Sequence, residues 1–276
     1  MKDLLEARKA LLAKELQYSK TILYGDAKAG KTALAGTAAR LDQIDNIYWF
    51  DLENGVETLL NKQSNLTDDQ LKKVKVFSVV DSPDLPVAGE TILKAFTSRR
   101  PVSICYEHGK VGCAVCKPED KLDWHLLGCT KRDLVVIDSG TQLGISVHKI
   151  AQKLNTFKDK RLYYVESGSM LNDIFTMTQA VHTNVVMITH ALDITNDDGK
   201  LIKTVPLVLS QGYSKNVGKF FGQVAYLSVE LRKFKAGSSS TYKQTVLTGS
   251  RTGAAIENIT DRPPTMKDLL FPDDAA

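Results

Sequence analysis

Ser19-Lys-Thr-Ile-Leu-Tyr-Gly-Asp-Ala-Lys-Ala-Gly-Lys-Thr32 decides how the rest of the chain is read. Ser19 to Tyr24 reads as a short apolar strand, Gly25 to Gly30 as a glycine-bounded turn, and the alanine-rich run Lys31 to Arg40 as a helix by propensity. The turn matches G-x-x-x-x-G-K-[ST] in full, with Gly25, Asp26, Ala27, Lys28, Ala29, Gly30, Lys31 and Thr32 in its eight places. Its glycines let backbone N–H groups curl around a phosphate, and the helix that follows adds the positive end of its dipole. Lys31 is placed to reach the β- and γ-phosphates of ATP, and the Thr32 hydroxyl to ligate Mg²⁺. Lys28 is an extra cation in the loop and reads as solvent-exposed.

Outward from this stretch, apolar strands alternate with helical segments. Ile47 to Phe50, Val74 to Val80, Leu134 to Asp138, Asn184 to Thr189, Phe221 to Leu231 and Tyr242 to Leu247 read as strands. Pro86 to Ser98, Thr141 to Leu154 and Ser169 to Val181 read as helices. Leu134-Val-Val-Ile-Asp138 is apolar without interruption, as in a strand buried on both faces of a parallel sheet. The expected fold is α/β, a mainly parallel twisted sheet flanked by helices. In such a sheet the carboxyl ends of the strands share one edge. Asp138 ends its strand and can hold Mg²⁺ through water. Glu53 follows the strand Tyr48-Trp-Phe-Asp51 and can orient and deprotonate water. A capping role for Asp138 and a plain surface turn for Glu53 are the simpler alternatives.

The chain has 276 residues, 43% hydrophobic and 25% charged, which excludes a wholly disordered chain. Its formal charge of +4 does not by itself mark a nucleic-acid binder. No apolar run approaches the roughly 18 residues of a membrane span. The charged start, Met-Lys-Asp-Leu-Leu-Glu-Ala-Arg-Lys, is unlike a signal peptide. A cytoplasmic protein is therefore expected, in the bacterial host cell if the chain is phage-encoded. Four units are expected: an amphipathic helix within residues 1–17, available for oligomerisation; a core at 18–260; an insertion at 101–131; and a loosely held acidic tail at 261–276.

All four cysteines fall between Cys105 and Cys129. In a reducing compartment such clustering points to metal. Cys105-x₂-His108 and Cys113-x₂-Cys116 are two closely spaced pairs that can meet at one tetrahedral Zn²⁺. His125 and Cys129 compete for places in that set. Four protein ligands leave no open position for water, so the zinc role would be structural.

Phe50-Asp-Leu-Glu53, Leu134 to Ser139 and the G-x-x-x-x-G-K-[ST] turn together resemble the RecA-type recombinase ATPase core. The chain is most similar to the compact RecA-like single-strand annealing proteins of bacteriophages. Asn184-Val-Val-Met-Ile-Thr-His190 resembles the strand ending in that family's γ-phosphate sensor, with His190 where bacterial RecA has Gln. Gly212 to Phe221 resembles the stretch that sends lysines to a neighbouring subunit's ATP; Lys219 matches best and Lys215 less well. The resemblance covers about residues 15 to 250. It implies an ATPase, stimulated by DNA, that assembles as a filament or ring on single-stranded DNA. A single-strand-binding protein would be a further partner. Its first DNA loop would be Asn155 to Gly168, where Lys158, Lys160 and Arg161 can track phosphates and Tyr163 and Tyr164 can stack on bases. Its second would be Ala191 to Val205, where Asp193, Asp197 and Asp198 oppose DNA and Lys200 and Lys203 favour it. A ring-forming motor using Arg251 as a finger, and a nucleotide-gated adaptor, are the competing readings.

Overall fold

The computed structural model describes residues 18–61, 64–232, 241–250, 259–260 and 262–271, with backbone alone at 230–232, 241–244 and 250. The helix expected within 1–17 and Arg251 lie outside these residues. In chain order the elements are β1 (Lys20–Gly25), α1 (Lys31–Gly36), β2 (Asn46–Asp51), α2 (Glu57–Leu60), α3 (Asp68–Lys72), β3 (Val74–Ser78), α4 (Val87–Thr97), β4 (Val102–Cys105), β5 (Lys121–Trp124), β6 (Asp133–Asp138), α5 (Gly140–Leu154), α6 (Arg161–Ala180), β7 (Asn184–Thr195), β8 (Leu201–Pro206), α7 (Gln211–Ser214), β9 (Gln223–Arg232), β10 (Thr241–Ser250) and α8 (Met266–Leu270).

The main sheet runs β10-β9-β1-β7-β6-β2-β3, with β8 paired to β7 off this path. Every pairing along the path is parallel except β10 with β9. Successive side chains of a strand face opposite ways, and both faces of this sheet are covered. Ile22, Phe50, Ile137 and Met187 pack against α4, α5 and α6 through Ile92, Leu143, Leu171 and Phe175. Leu23, Trp49, Val136 and Val186 pack against α1 and α8 through Leu34, Ala35, Met266 and Leu269. That double burial is why the strands read as unbroken apolar runs. Gly25, the last residue of β1, sits so near β9 that a Cβ would lie 2.2 Å from the Leu227 carbonyl oxygen.

Three expectations are corrected, on the tail and on two loops, while the 101–131 insertion stays outside the main sheet. Its β4–β5 hairpin puts Ile104, Trp124 and Leu126 into the same core as Phe50, Phe77 and Phe96. The tail is held down over 262–271. Arg262 grips the buried Asp268 carboxylate, and Met266, Leu269 and Leu270 are buried. The presumed loop before residue 169 is largely helix, because α6 begins at Arg161 and buries Ser167 against His148 of α5 and Gly168 beside Tyr213. The presumed loop 191–205 is a β-hairpin of β7 and β8. Its turn is closed by the Asn196 amide donating to the Lys200 carbonyl and the Lys200 amide donating to the Asn196 side-chain Oδ1, with Gly199 at φ 76°.

Candidate nucleotide hydrolysis site

The parallel register sets Gly25 beside His190 and Asp51 beside Asp138, so the ends of β1, β2 and β6 converge on one edge with His190 of β7. Gly30 (φ 90°) opens α1 in the left-handed conformation. Lys31 is 7% exposed, and its Nζ donates to the carbonyls of Gly25 (3.0 Å) and Asp26 (2.7 Å). Burial pulls its pKa down, while Asp138, Glu53 and Asp26 push it back up. Thr32 Oγ1 donates to Asp138 Oδ2 at 2.9 Å across 106 residues of sequence. Burial raises the Asp138 pKa to about 6, reinforced by Asp51 and Glu53 and opposed by the Thr32 hydroxyl and Lys31. Lys28 is exposed, with φ 63°.

Glu53 is aimed by its neighbours. The buried Asp51 carboxylate accepts from the amides of Glu53 (3.3 Å), Gly55 (2.9 Å) and Val56 (3.2 Å), which folds the turn after β2. The Leu52 amide donates to the Asp138 carbonyl at 2.6 Å, tying that turn to the end of β6. Ser139 donates its hydroxyl to Glu53 Oε1, and the same oxygen accepts from the Gln142 amide as the N-cap of α5. His190 Nε2 lies 3.6 Å from Glu53 Oε2. The imidazole and then the Ser139 hydroxyl lower the Glu53 pKa against its burial. An acid kept ionised beside a buried ammonium can serve as a base, and Thr32 with Asp138 is a hard-oxygen pair suited to Mg²⁺. Gly55 closes the site from above: a Cβ there would lie 3.4 Å from Asp138 Oδ2 and 3.6 Å from Thr32 Oγ1.

Asp51 and Ser139 are the residues of this edge that sequence reasoning passed over. Asp51 stands at the end of the strand motif itself, where a buried acid followed by a tight turn is the available signal. Ser139 has no local signal of this kind, because its partner is 86 residues away.

The other expected site residues fall elsewhere. Lys219 is exposed in a turn before β9, with its Nζ 4.8 Å from the centre of the Phe220 ring, and Lys215 is exposed nearby. Gln223 pairs with Thr21 and Leu227 with Gly25, so both lysines lie beyond the opposite edge from their own chain's Gly25. Of the 155–168 residues, Lys158, Lys160 and Tyr164 are exposed. Arg161 is engaged by Asp159, with an Nη2–Oδ2 distance of 2.7 Å. The Tyr163 hydroxyl accepts from the Phe157 amide (3.0 Å), and the Tyr164 ring stacks on His148 at 4.4 Å.

The cysteine segment brings together Cys105, His108, Cys113 and Cys116, whose ligand atoms all lie within 4.8 Å of one another. A tetrahedral zinc with sulfur ligands at about 2.3 Å has edges of about 3.7 Å, so small shifts close the set. Backbone amides of Cys116 and Val115 pull the Cys113 pKa down to about 6. Withdrawal from water and then the adjoining Cys113 and Cys105 sulfurs push that of Cys116 up to about 12. Cys129 lies apart, near Trp124 and Lys20, with its Sγ toward the His125 carbonyl.

The strand–loop–helix phosphate cradle, the acid at the end of β6 and the second acid after β2 define a P-loop ATPase. The family model described as an AAA domain matches residues 17–254, and the chain belongs to that family. No curated protein matches it in sequence. Among solved structures it is similar to a prototypical ATPase from the type III secretion system of pathogenic bacteria. The identity is 13% and the TM-score 0.47, over 76% of this chain and 51% of that one. The chain therefore spans about half the length of that protein. No helix among the described residues is long and apolar enough to cross a membrane.

Proposed function

We propose that the chain hydrolyses ATP to drive single-strand annealing or strand exchange, working as a homo-oligomer on single-stranded DNA. Lys31 and the amides of the 25–32 turn hold the triphosphate. Thr32 and Asp138 would hold Mg²⁺, which offsets phosphate charge when bound. Glu53, ionised and oriented by Ser139 and Asp51, takes a proton from the attacking water. His190 beside it reads the γ-phosphate.

One observation carries the link to DNA. β7 runs without a break from His190, at Glu53, into the hairpin that exposes Lys200 and Lys203. A change in the Glu53–His190 contact therefore has a stiff route to a hairpin where exposed Lys200 and Lys203 stand beside Asp193, Asp197 and Asp198. The Leu207 amide bonds the His190 carbonyl (2.8 Å) and the Thr141 hydroxyl the Leu207 carbonyl (2.8 Å), joining that route to α5 as well. Lys158 and Lys160 add exposed cations, whereas Arg161 and Tyr163 spend their polar groups internally. Lys219 supports the oligomer. The strand from Gln223 to Leu227 alone spans roughly 13 Å at about 3.3 Å per residue, so a second copy is the reachable target.

The test is ATP turnover with and without single-stranded oligonucleotide, together with annealing of complementary strands. Several-fold stimulation, with tighter DNA binding in an ATP analogue than in ADP, is expected. Absence of DNA binding at low salt with the analogue present refutes the DNA reading. Unwinding without annealing points to a motor instead.

A further inference from the structure

We infer that Cys105, His108, Cys113 and Cys116 bind one zinc ion, and that this centre braces the turn that aims Glu53. Three sulfurs and an imidazole form a soft, tetrahedral donor set, which suits zinc and leaves no open position. His108 Nδ1 is 3.1 Å from Cys116 Sγ and 3.9 Å from Cys113 Sγ. Tyr106 and Val111 pack on the core, but the tip that carries Cys113 and Cys116 has little apolar packing of its own: Val115 is 82% exposed. Bound metal supplies the order that such a loop lacks.

The connection to the hydrolytic edge is short and made of backbone. Gly109, next to the ligand His108, has φ +58°, and a Cβ there would lie 2.4 Å from the Ser78 carbonyl oxygen and 2.7 Å from Val79 Cα. The Ser78 amide donates to the Tyr106 carbonyl at 3.0 Å, and the Tyr106 ring stacks on Phe77 at 5.5 Å. The Val79 amide in turn donates to the Asp51 carbonyl at 2.9 Å. Asp51 is the residue whose carboxylate folds the Glu53 turn. The ligand loop thus covers the edge strand β3 and holds it against the end of β2. Opening the metal centre frees Gly109 and Tyr106 from β3, and the Asp51–Val56 turn loses its outer support.

The second half of the inference rests on the role given to Glu53 above, so the test reads the turn as well as turnover. Zinc content is measured on the purified full chain, on Cys113→Ser and on Cys129→Ser. Hydrogen exchange is then followed in the wild type, without nucleotide, before and after chelation and after zinc is restored. One zinc per chain is expected in the wild type and in Cys129→Ser, and less than about a tenth of that in Cys113→Ser. Chelation is expected to speed exchange at the Glu53, Gly55 and Val56 amides by about tenfold or more, reversibly, while amides of β6 and β7 hold their protection. A wild type without zinc, equal zinc in Cys113→Ser, unchanged exchange at the turn, or a uniform rise across β6 and β7 each overturns the inference. Should Cys113→Ser fail to fold, the chelation series on the wild type still decides. Full turnover in Glu53→Gln would instead remove the assigned base and leave the zinc and exchange results standing.

Discussion

Strand β1 begins with one buried lysine, Lys20, and its turn ends in another, Lys31. Burial depresses both ammonium pKa values, that of Lys20 to about 7. Their company differs. Lys31 faces Asp138, Glu53 and Asp26. Lys20 donates to the Thr183 carbonyl, lies 5.2 Å from the Tyr18 ring centre, and has the Cys129 thiol as its opposing influence. A buried cation alone is a cost. A buried cation among carboxylates drawn from three different segments is machinery held ready for a charged ligand. Lys20 opening β1 and Lys31 opening α1 thus contrast, among the described residues, a buried cation without a carboxylate partner with one set among three.

The sharpest way to break this contrast is Lys31→Ala. Affinity for ATP is expected to fall by at least about 100-fold, since charge-assisted bonds to phosphate are lost, with the fold retained. Titration with a fluorescent ATP analogue checks it, and normal affinity would reduce Lys31 to the status of Lys20. Next comes Glu53→Gln. Turnover is expected to drop by about 10²–10⁴, the range for loss of a general base, while ATP affinity changes little. Single-turnover kinetics beside equilibrium binding separates the two quantities.

Lys20 gives the smallest and most distinct effect, one of stability. Its folded pKa, about 7, lies below the unfolded value, so the unfolded chain binds the proton more tightly. Stability must therefore rise as pH climbs above 7, by at most about 1.4 kcal/mol per pH unit from this group. Denaturant unfolding between pH 7 and 9 should show that slope in the wild type and its loss in Lys20→Met. Parallel curves for the two proteins would show that Lys20 keeps its charge in the fold.

Much of the nucleotide edge was legible because it is written locally. Gly25 to Thr32 is a contiguous motif, and Asp138 closes an apolar run. The pairs Cys105–His108 and Cys113–Cys116 are likewise local, although His125 and Cys129 competed with them for places. What was illegible depends on partners far apart in sequence. Ser139 acquires its role only when β2 and β6 lie side by side. The contacts of Tyr163 with Phe157 and of Arg161 with Asp159 had no signal in the sequence. Residues 191–205 read as a loop because the family resemblance implies one, and the placement of Leu192 opposite Val205 and Ile194 opposite Lys203 shows only once the hairpin pairs. An Asp198-Gly199 turn was the overlooked sign of a hairpin. The cysteine segment lacked a visible apolar period, since Ile104, Trp124 and Leu126 find their packing partners in other strands.

Helix α8 has a practical consequence. The Met266 amide donates to Thr37 Oγ1 at 2.8 Å, and Met266, Leu269 and Leu270 fill the groove behind α1. The last described residues thus wedge the back of the helix whose front cradles phosphate. An expression vector that trims the chain at Thr260, or fuses a bulky partner there, would spare every side chain of the nucleotide edge and still unseat the scaffold beneath them.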